Sequence, residues 1–246
     1  MLQPHIRCTK EDVAEYVLLP GDHKRLDIIE TFLEDVKEIG FNREYRTITG
    51  YYKNIKVMAM STGMGGPSTA IGVEELAKLG VSTMIRIGSC GALKNDIKIG
   101  DLIIASGAIR DEGTGRAYVD PIYPAIADIE LVTSIIDSSK ELNIPYYTGI
   151  VRTHDSFYTE ETESKKEYWA RKGVLGEDME TAALLVVASL RGVKAASILN
   201  NVVEYGNDVE EGINDYVDGE SLAALGEKRE IQVALEAIVK LDKNNQ

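Results

Sequence analysis

Apolar residues along this chain switch between a spacing of two and a spacing near 3.6, and the switches mark out its elements. Residues 17–19 form a short apolar strand running into Pro20-Gly21-Asp22. Residues 23–33 have helical spacing, with Leu26, Ile29 and Phe32 on one side. Strands are predicted at 36–41 and 44–52, and the alternating run 55–60 pairs with the second as a hairpin across Lys53-Asn54. A glycine-rich turn at 61–67 opens a helix over 68–79 that stops at Gly80; proline near the start and glycine past the end is the expected asymmetry. A strand at 83–87 ends at Gly88-Ser89-Cys90-Gly91, and another covers 102–105. An amphipathic helix follows at 126–142, a strand at 146–152 and a charged surface helix at 160–172.

The run 181–188 is apolar on every side and predicts a buried helix. Glu180 sits at its mouth, where the positive end of the dipole favours an anion, so a helix-capping role and a ligand-binding role both fit. The last strong strand is 195–203. The acidic, glycine-containing stretch 204–220 reads as a long loop, of the kind that often forms a lid. An amphipathic helix over 222–241 closes the pattern. Strands alternating with helices indicate an α/β protein, and the early hairpin indicates a mixed sheet.

Composition narrows the class. At 44% hydrophobic residues the 246-residue chain can bury a sizeable core. It has no linker, repeat or low-complexity tract, so one domain over 1–246 is expected. The formal charge of -13, without a Lys/Arg cluster, speaks against a nucleic-acid partner. Cys8 and Cys90 are far apart, and with His5, His23 and His154 they show neither a disulfide framework nor metal-ligand spacing. No apolar run approaches the roughly 20 residues of a membrane span. A soluble, cytoplasmic protein without metal or cofactor is expected.

Three glycine-rich corners follow strands: Gly21-Asp22, Gly63-Met64-Gly65-Gly66 and Gly88-Ser89-Cys90-Gly91. Such corners bind anions through bare backbone N–H groups. The second is a near miss to a dinucleotide fingerprint, with Pro67 and Ser68 in its last two positions, so no nicotinamide site is expected. Arginines stand beside the other two corners. Arg25 lies one helical turn after Gly21, and Arg86 lies two residues before Gly88 inside an otherwise apolar strand. A planar guanidinium pairs bidentately with phosphate oxygens. A solvated helix arginine at 25 and a structural ion pair at 86 are the plainer alternatives.

Seven stretches in order resemble the nucleoside phosphorylase family of uridine phosphorylases and hexameric-type purine nucleoside phosphorylases. They are His5 with Thr9-Lys10-Glu11-Asp12, Gly21-Asp22-His23-Lys24-Arg25, Asn42-Arg43-Glu44-Tyr45, residues 61–68, Arg86-Ile87-Gly88-Ser89-Cys90-Gly91, Asp155-Ser156-Phe157-Tyr158 and Asp178-Met179-Glu180. The resemblance implies a phosphorylase fold, a twisted mixed sheet closing toward a barrel and surrounded by helices. It implies dimers or trimers of dimers with shared active sites. The phosphate site would be Gly21, Arg25, Arg86 and Ser89, completed by Arg43 of a neighbouring copy. Glu180 and Met179 would hold the ribose, His5 of a neighbour would reach its 5′-hydroxyl, and Phe157 would stack on the base. Inorganic phosphate would be the co-substrate and nucleophile, cleaving the N-glycosidic bond through an oxocarbenium-like sugar, with no cofactor.

The base half departs from both subfamilies. Uridine phosphorylases carry a Gln-x-Arg pair after the Phe-Tyr element; here Glu161 and Glu163 stand there, and an ionised acid cannot donate to uracil carbonyls. Purine phosphorylases carry an Asp near the end of the last strand; that position falls on Val203, beside Val202, with Glu204 one residue on as the candidate general acid. Asp178 replaces the family's usual Glu and is expected near the sugar or base. Two alternatives remain: a nucleosidase using water, and a non-catalytic nucleoside-binding protein.

Overall fold

Ten strands build one mixed sheet in a computed structural model that describes residues 1–207 and 222–245. The chain begins with β1 (Tyr16–Pro20), α1 (Arg25–Glu30), β2 (Glu34–Asn42), β3 (Tyr45–Tyr52) and β4 (Ile55–Met60). It continues through α2 (Gly66–Leu79), β5 (Thr83–Ala92), β6 (Leu102–Asp111), α3 (Thr114–Tyr118), β7 (Ala125–Ile126) and α4 (Ile129–Glu141). It ends with β8 (Tyr146–His154), α5 (Thr162–Arg171), β9 (Gly176–Asp178), α6 (Thr181–Leu190), β10 (Lys194–Val203) and α7 (Leu222–Asn245).

Five strands close on themselves. β5 pairs β10, β10 pairs β6, β6 pairs β8, β8 pairs β9, and β9 returns to β5. Ring closure leaves these strands no open edge between them. Cys90, Ala92, Ile103, Ala105, Val151 and Leu199 form a small apolar cluster, one face of the ring strands turned inward. From β5 the sheet runs outward through β1 and β4 to the hairpin strands β3 and β2. The larger core lies between this sheet and the helices, with Leu18, Ile85, Leu131, Ile198 and Leu235 in it. The expected mixed sheet closing toward a barrel is what the chain forms.

Differences from the sequence pattern have local causes. The 83–87 strand runs on to Ala92, because Gly88 to Gly91 pair with β10. Glycine there reads as a turn, but one ladder with β10 and a second with β9 hold it extended. The helix at 126–142 begins three residues later, capped by Asp128, whose side chain accepts from the Leu131 amide at 2.9 Å. β9 has only three residues, too few to show a period. The buried helix 181–188 is present, and every residue of it is buried. Gly80 ends α2 at φ 96, where a side chain would be strained. Most of the lid expected at 204–220 lies outside the described residues.

β9 fits its slot because Gly176 has no side chain. A Cβ there would lie 2.8 Å from Ile103 Cδ1 and 3.0 Å from the Gly91 carbonyl oxygen. Gly176→Ala is expected to cost about 1–3 kcal/mol, read as a lower denaturant midpoint. An unchanged midpoint would show that the ring has slack at this seam.

Candidate active site

The three glycine corners meet at one end of the sheet. β1 lies between β4 and β5, both parallel to it, so their C-terminal ends are neighbours. The Thr62 amide donates to Pro20 O at 2.9 Å and the Gly63 amide to Gly21 O at 3.0 Å, which ties the first two corners together. Gly63 and Gly65 hold positive φ, and the turn aims the Gly65 amide across to Glu180 Oε1 at 2.6 Å.

Arg86 is the hub. It is buried, and its Nε donates to Asp178 Oδ2 at 3.0 Å while Nη2 donates to Glu180 Oε2 at 2.5 Å. Nη1 is buried and has no hydrogen-bond partner in the protein. It faces the Gly21 corner, where a Cβ would stand 4.0 Å from it. The two carboxylates hold the Arg86 pKa above its ordinary value against the opposing effect of burial. Burial pushes the Glu180 carboxyl up, while Arg86 pulls it back.

Asp178, not Glu180, caps α6. Its Oδ2 accepts from the Thr181 amide at 3.0 Å and from Thr181 Oγ1 at 2.6 Å, and Thr153 Oγ1 donates to Oδ1 at 2.7 Å. Glu180 occupies the N-cap position without a side-chain cap bond, because Arg86 and Gly65 engage its carboxylate instead. The Asp178 carboxylate is therefore committed to Arg86, Thr181 and Thr153.

Arg25 is not a solvated helix residue. It is buried, its Nε donates to Glu227 Oε1 at 2.5 Å, and its Nη1 donates to Ile87 O at 2.8 Å. The same Nη1 lies 3.2 Å from Glu230 Oε1. Both acids come from α7, and burial pushes Glu230 up to about 8. Ser89 is half-buried on the same strand as Arg86.

His5 and Arg43 sit together elsewhere on the surface. The Asn42 side-chain amide donates to His5 O at 2.7 Å. Arg43 is exposed at the tip of the β2–β3 hairpin with φ 55, a left-handed conformation that costs energy in a non-glycine residue. His5 Nδ1 is 2.6 Å from Glu75 Oε1, and that buried carboxylate also accepts from the His5 and Ile6 amides. Phe41, two residues before Arg43, is 54% exposed, so this hairpin tip mixes cationic and apolar groups.

The residues expected at the base, and Met179 expected beneath the sugar, come from separate stretches of the chain. Phe157 is half-buried, edge-on to Tyr158 at 5.0 Å between centroids. Met179 is half-buried between the two acids. Glu161 and Glu163 point to solvent and pair with Lys165 and Lys166. Val202 and Val203 are buried against Ala223. Glu204 Oε2 lies 3.4 Å from Lys98 Nζ. A cavity of about 240 Å³ beside this segment is lined by Arg152, His154, Thr159 and Lys165. It lies across β8 from Thr153, and Arg152 is ion-paired to Asp111 and Glu177. Glu75, Thr153, Glu227 and Glu230 were not foreseen. The only signal for the last two was two acids one helical turn apart on an amphipathic helix, which ordinarily means a solvated face. Among the described residues no group of His, Cys, Asp or Glu could hold a metal ion, and no helix is long and apolar enough to cross a membrane.

The closed mixed-strand ring of this α/β protein thus carries, at its glycine-cornered end, a buried guanidinium held between two carboxylates. The chain belongs to the phosphorylase superfamily, whose sequence profile matches residues 15–218. It is 42% identical over 209 residues to a uridine phosphorylase of Thermococcus kodakarensis, covering 80% of this chain and 76% of that one. It is 39% identical over 251 residues to a purine nucleoside phosphorylase, DeoD-type 2, of Aliivibrio fischeri, covering 98% of this chain and all of that one. The crystal structure of a uridine phosphorylase from Vibrio fischeri superposes with a TM-score of 0.90 at 43% identity, over 97% of each chain.

Asp178→Asn keeps the size but removes the charge opposite Arg86. It is expected to destabilise the protein by about 3 kcal/mol, since it breaks a buried pair that also caps α6. Denaturation at neutral pH measures it, and a loss below 1 kcal/mol would mean that Glu180 alone suffices for Arg86. Glu230 contributes in the opposite sense. Its folded pKa lies above the usual carboxylate value, so wild-type stability falls as pH rises from about 4.5 to about 8. Glu230→Gln is therefore expected to gain thermal stability relative to wild type over that window, with the smallest gain at pH 5.

Proposed function

We propose that the protein is a nucleoside phosphorylase that cleaves the N-glycosidic bond of a ribo- or deoxyribonucleoside with inorganic phosphate. The free base and (deoxy)ribose 1-phosphate are the products. The observation that carries this reading is the Arg86–Glu180 pair. One buried guanidinium offers an unused N–H toward the Gly21 corner while its partner carboxylate keeps lone pairs for sugar hydroxyls. Phosphate held by Arg86, Arg25, Ser89 and the Gly21 backbone is both the nucleophile and the anion that stabilises positive charge at C1′. Glu180 accepts from ribose hydroxyls, with Met179 beneath the sugar. No enzyme nucleophile is needed. Water as the nucleophile would make no use of the unpaired Arg86 Nη1 at the Gly21 corner, which favours phosphorolysis over the nucleosidase reading.

Two further features belong to the same proposal. His5 is linked through Asn42 to the hairpin tip that carries exposed Phe41 and Arg43. This supports donation of His5 and Arg43 to a neighbour's site in a dimer or a trimer of dimers, which we expect to work in the cytosol. The base is left open between uridine and purine: Glu161 faces solvent, and Val202 and Val203 offer only an apolar wall. Glu204, beside Lys98 at the end of β10, is our candidate for the acid that protonates a leaving purine.

Turnover on uridine, thymidine, inosine, adenosine, guanosine and 5′-methylthioadenosine is expected only when phosphate is present. Base release undiminished without phosphate, and without a sugar phosphate, would favour the nucleosidase. Binding without turnover across the panel would favour the non-catalytic protein. Arg86→Ala is expected to lower phosphate-dependent activity by about a hundredfold or more. Near-normal phosphate affinity in a folded variant would remove Arg86 from the site. Mixing Arg43→Ala and Arg86→Ala subunits is expected to restore activity toward about a quarter of wild type, since half the mixed dimers' sites receive neither change. No restoration would mean that each copy is self-sufficient.

A further inference from the structure

Glu230 is a fully buried acid whose two carboxylate oxygens both lack a hydrogen-bond donor of good geometry. The Gly88 amide lies close enough to favour its charged form without completing such a bond. Arg25 of α1 approaches to 3.2 Å, but that guanidinium already serves Glu227 and Ile87 O. Arg86 and the buried, raised-pKa thiol of Cys90 face it from β5, and Glu227 faces it from its own helix. Two buried arginines thus stand among four buried carboxylates, Asp178, Glu180, Glu227 and Glu230.

Such a cluster has too many acceptors for an anion that brings only more acceptors. Phosphate differs from sulfate in one relevant way: between about pH 6 and 9 it keeps at least one proton, and sulfate keeps none. Glu230 touches one expected phosphate ligand, Arg25, and lies by Gly88, the residue before another, Ser89. We propose that Glu230 sets the specificity of this site by sharing one proton with the bound anion, so that the site takes a protonated oxyanion and rejects a fully ionised one. The inference rests on the phosphate site proposed above. When the carboxyl is ionised, the P–OH of monohydrogen phosphate donates to it. When the carboxyl is protonated, it donates to a phosphate oxygen. No bond to phosphorus forms or breaks, and the single proton stays between the two oxygens. Sulfate can be held only if the carboxyl first takes a proton from solvent. Burial keeps that proton bound to neutral pH and beyond, which makes alkaline pH the discriminating range.

Calorimetric titration of the full-length protein with inorganic phosphate and with sulfate, at pH about 6.5 and about 9, tests this. Buffers of different ionisation heat give the protons taken up. The phosphate-to-sulfate affinity ratio is expected to rise at least tenfold between the two pH values. Sulfate binding at pH 9 is expected to take up about one proton per site, and phosphate binding none. In Glu230→Gln the amide donates to either anion, so the ratio is expected to become nearly independent of pH. A wild-type ratio that does not change, with no proton uptake on sulfate binding, overturns the inference even if the variant does not fold. A folded Glu230→Gln protein with the wild-type ratio and pH dependence also overturns it. Binding of neither anion to wild type would remove the phosphate site itself, whereas phosphate binding indifferent to Glu230 removes only this inference.

Discussion

The buried contact between Arg86 and the acids Asp178 and Glu180 is the constraint on which the rest of the structure depends. A guanidinium without water must be paired and hydrogen-bonded, or its burial costs several kcal/mol. The chain meets that demand with residues from three places. β5 supplies Arg86, the seam strand β9 supplies Asp178, and the start of α6 supplies Glu180. Asp178 then caps α6, so the helix direction, the β9 seam and the arginine geometry are fixed together. A shift in one of them leaves a buried charge exposed to nothing.

Ring closure provides the rigidity this needs. β5 is held on four sides, by β1, β10, β9 and the packed helices, so Arg86 has little freedom to relax. The open part of the sheet does something different. Its outer hairpin projects Arg43 in a strained left-handed turn, and the segment before β1 is pinned by Glu75 with His5 half-exposed. The residues proposed for the interior of the site therefore stand on closed, buried elements. Those proposed to serve a neighbouring copy stand on an edge.

The similarity to relatives named for uridine and for purine nucleosides at nearly equal identity has a physical counterpart. In the assignment proposed above, the anion clamp and the sugar carboxylate lie in the ring and its glycine corners. The acids proposed for the base half lie in the exposed segment after β8 and at the end of β10. There, Glu161, Glu163 and Glu204 pair with surface lysines instead of converging on one point.

Local pattern was sufficient for most elements and for the two most informative side chains. Arg86 stood out as a charge inside an apolar strand, and Glu180 as an acid at the mouth of a helix buried all round; both readings require only residues within a few positions of each other. Ring closure, β9 and the continuation of β5 through its glycines were decided by tertiary structure. A three-residue strand has no period, and glycine becomes a strand only when neighbours such as β10 supply its ladder. The same holds for the surroundings of Arg25. Its sequence neighbours suggested solvent, but Glu227, 202 residues away, made it part of a buried charge cluster with Glu230. Periodicity reports which face of an element is apolar. Which acid meets which arginine depends on how distant elements pack, and only the folded chain determines that.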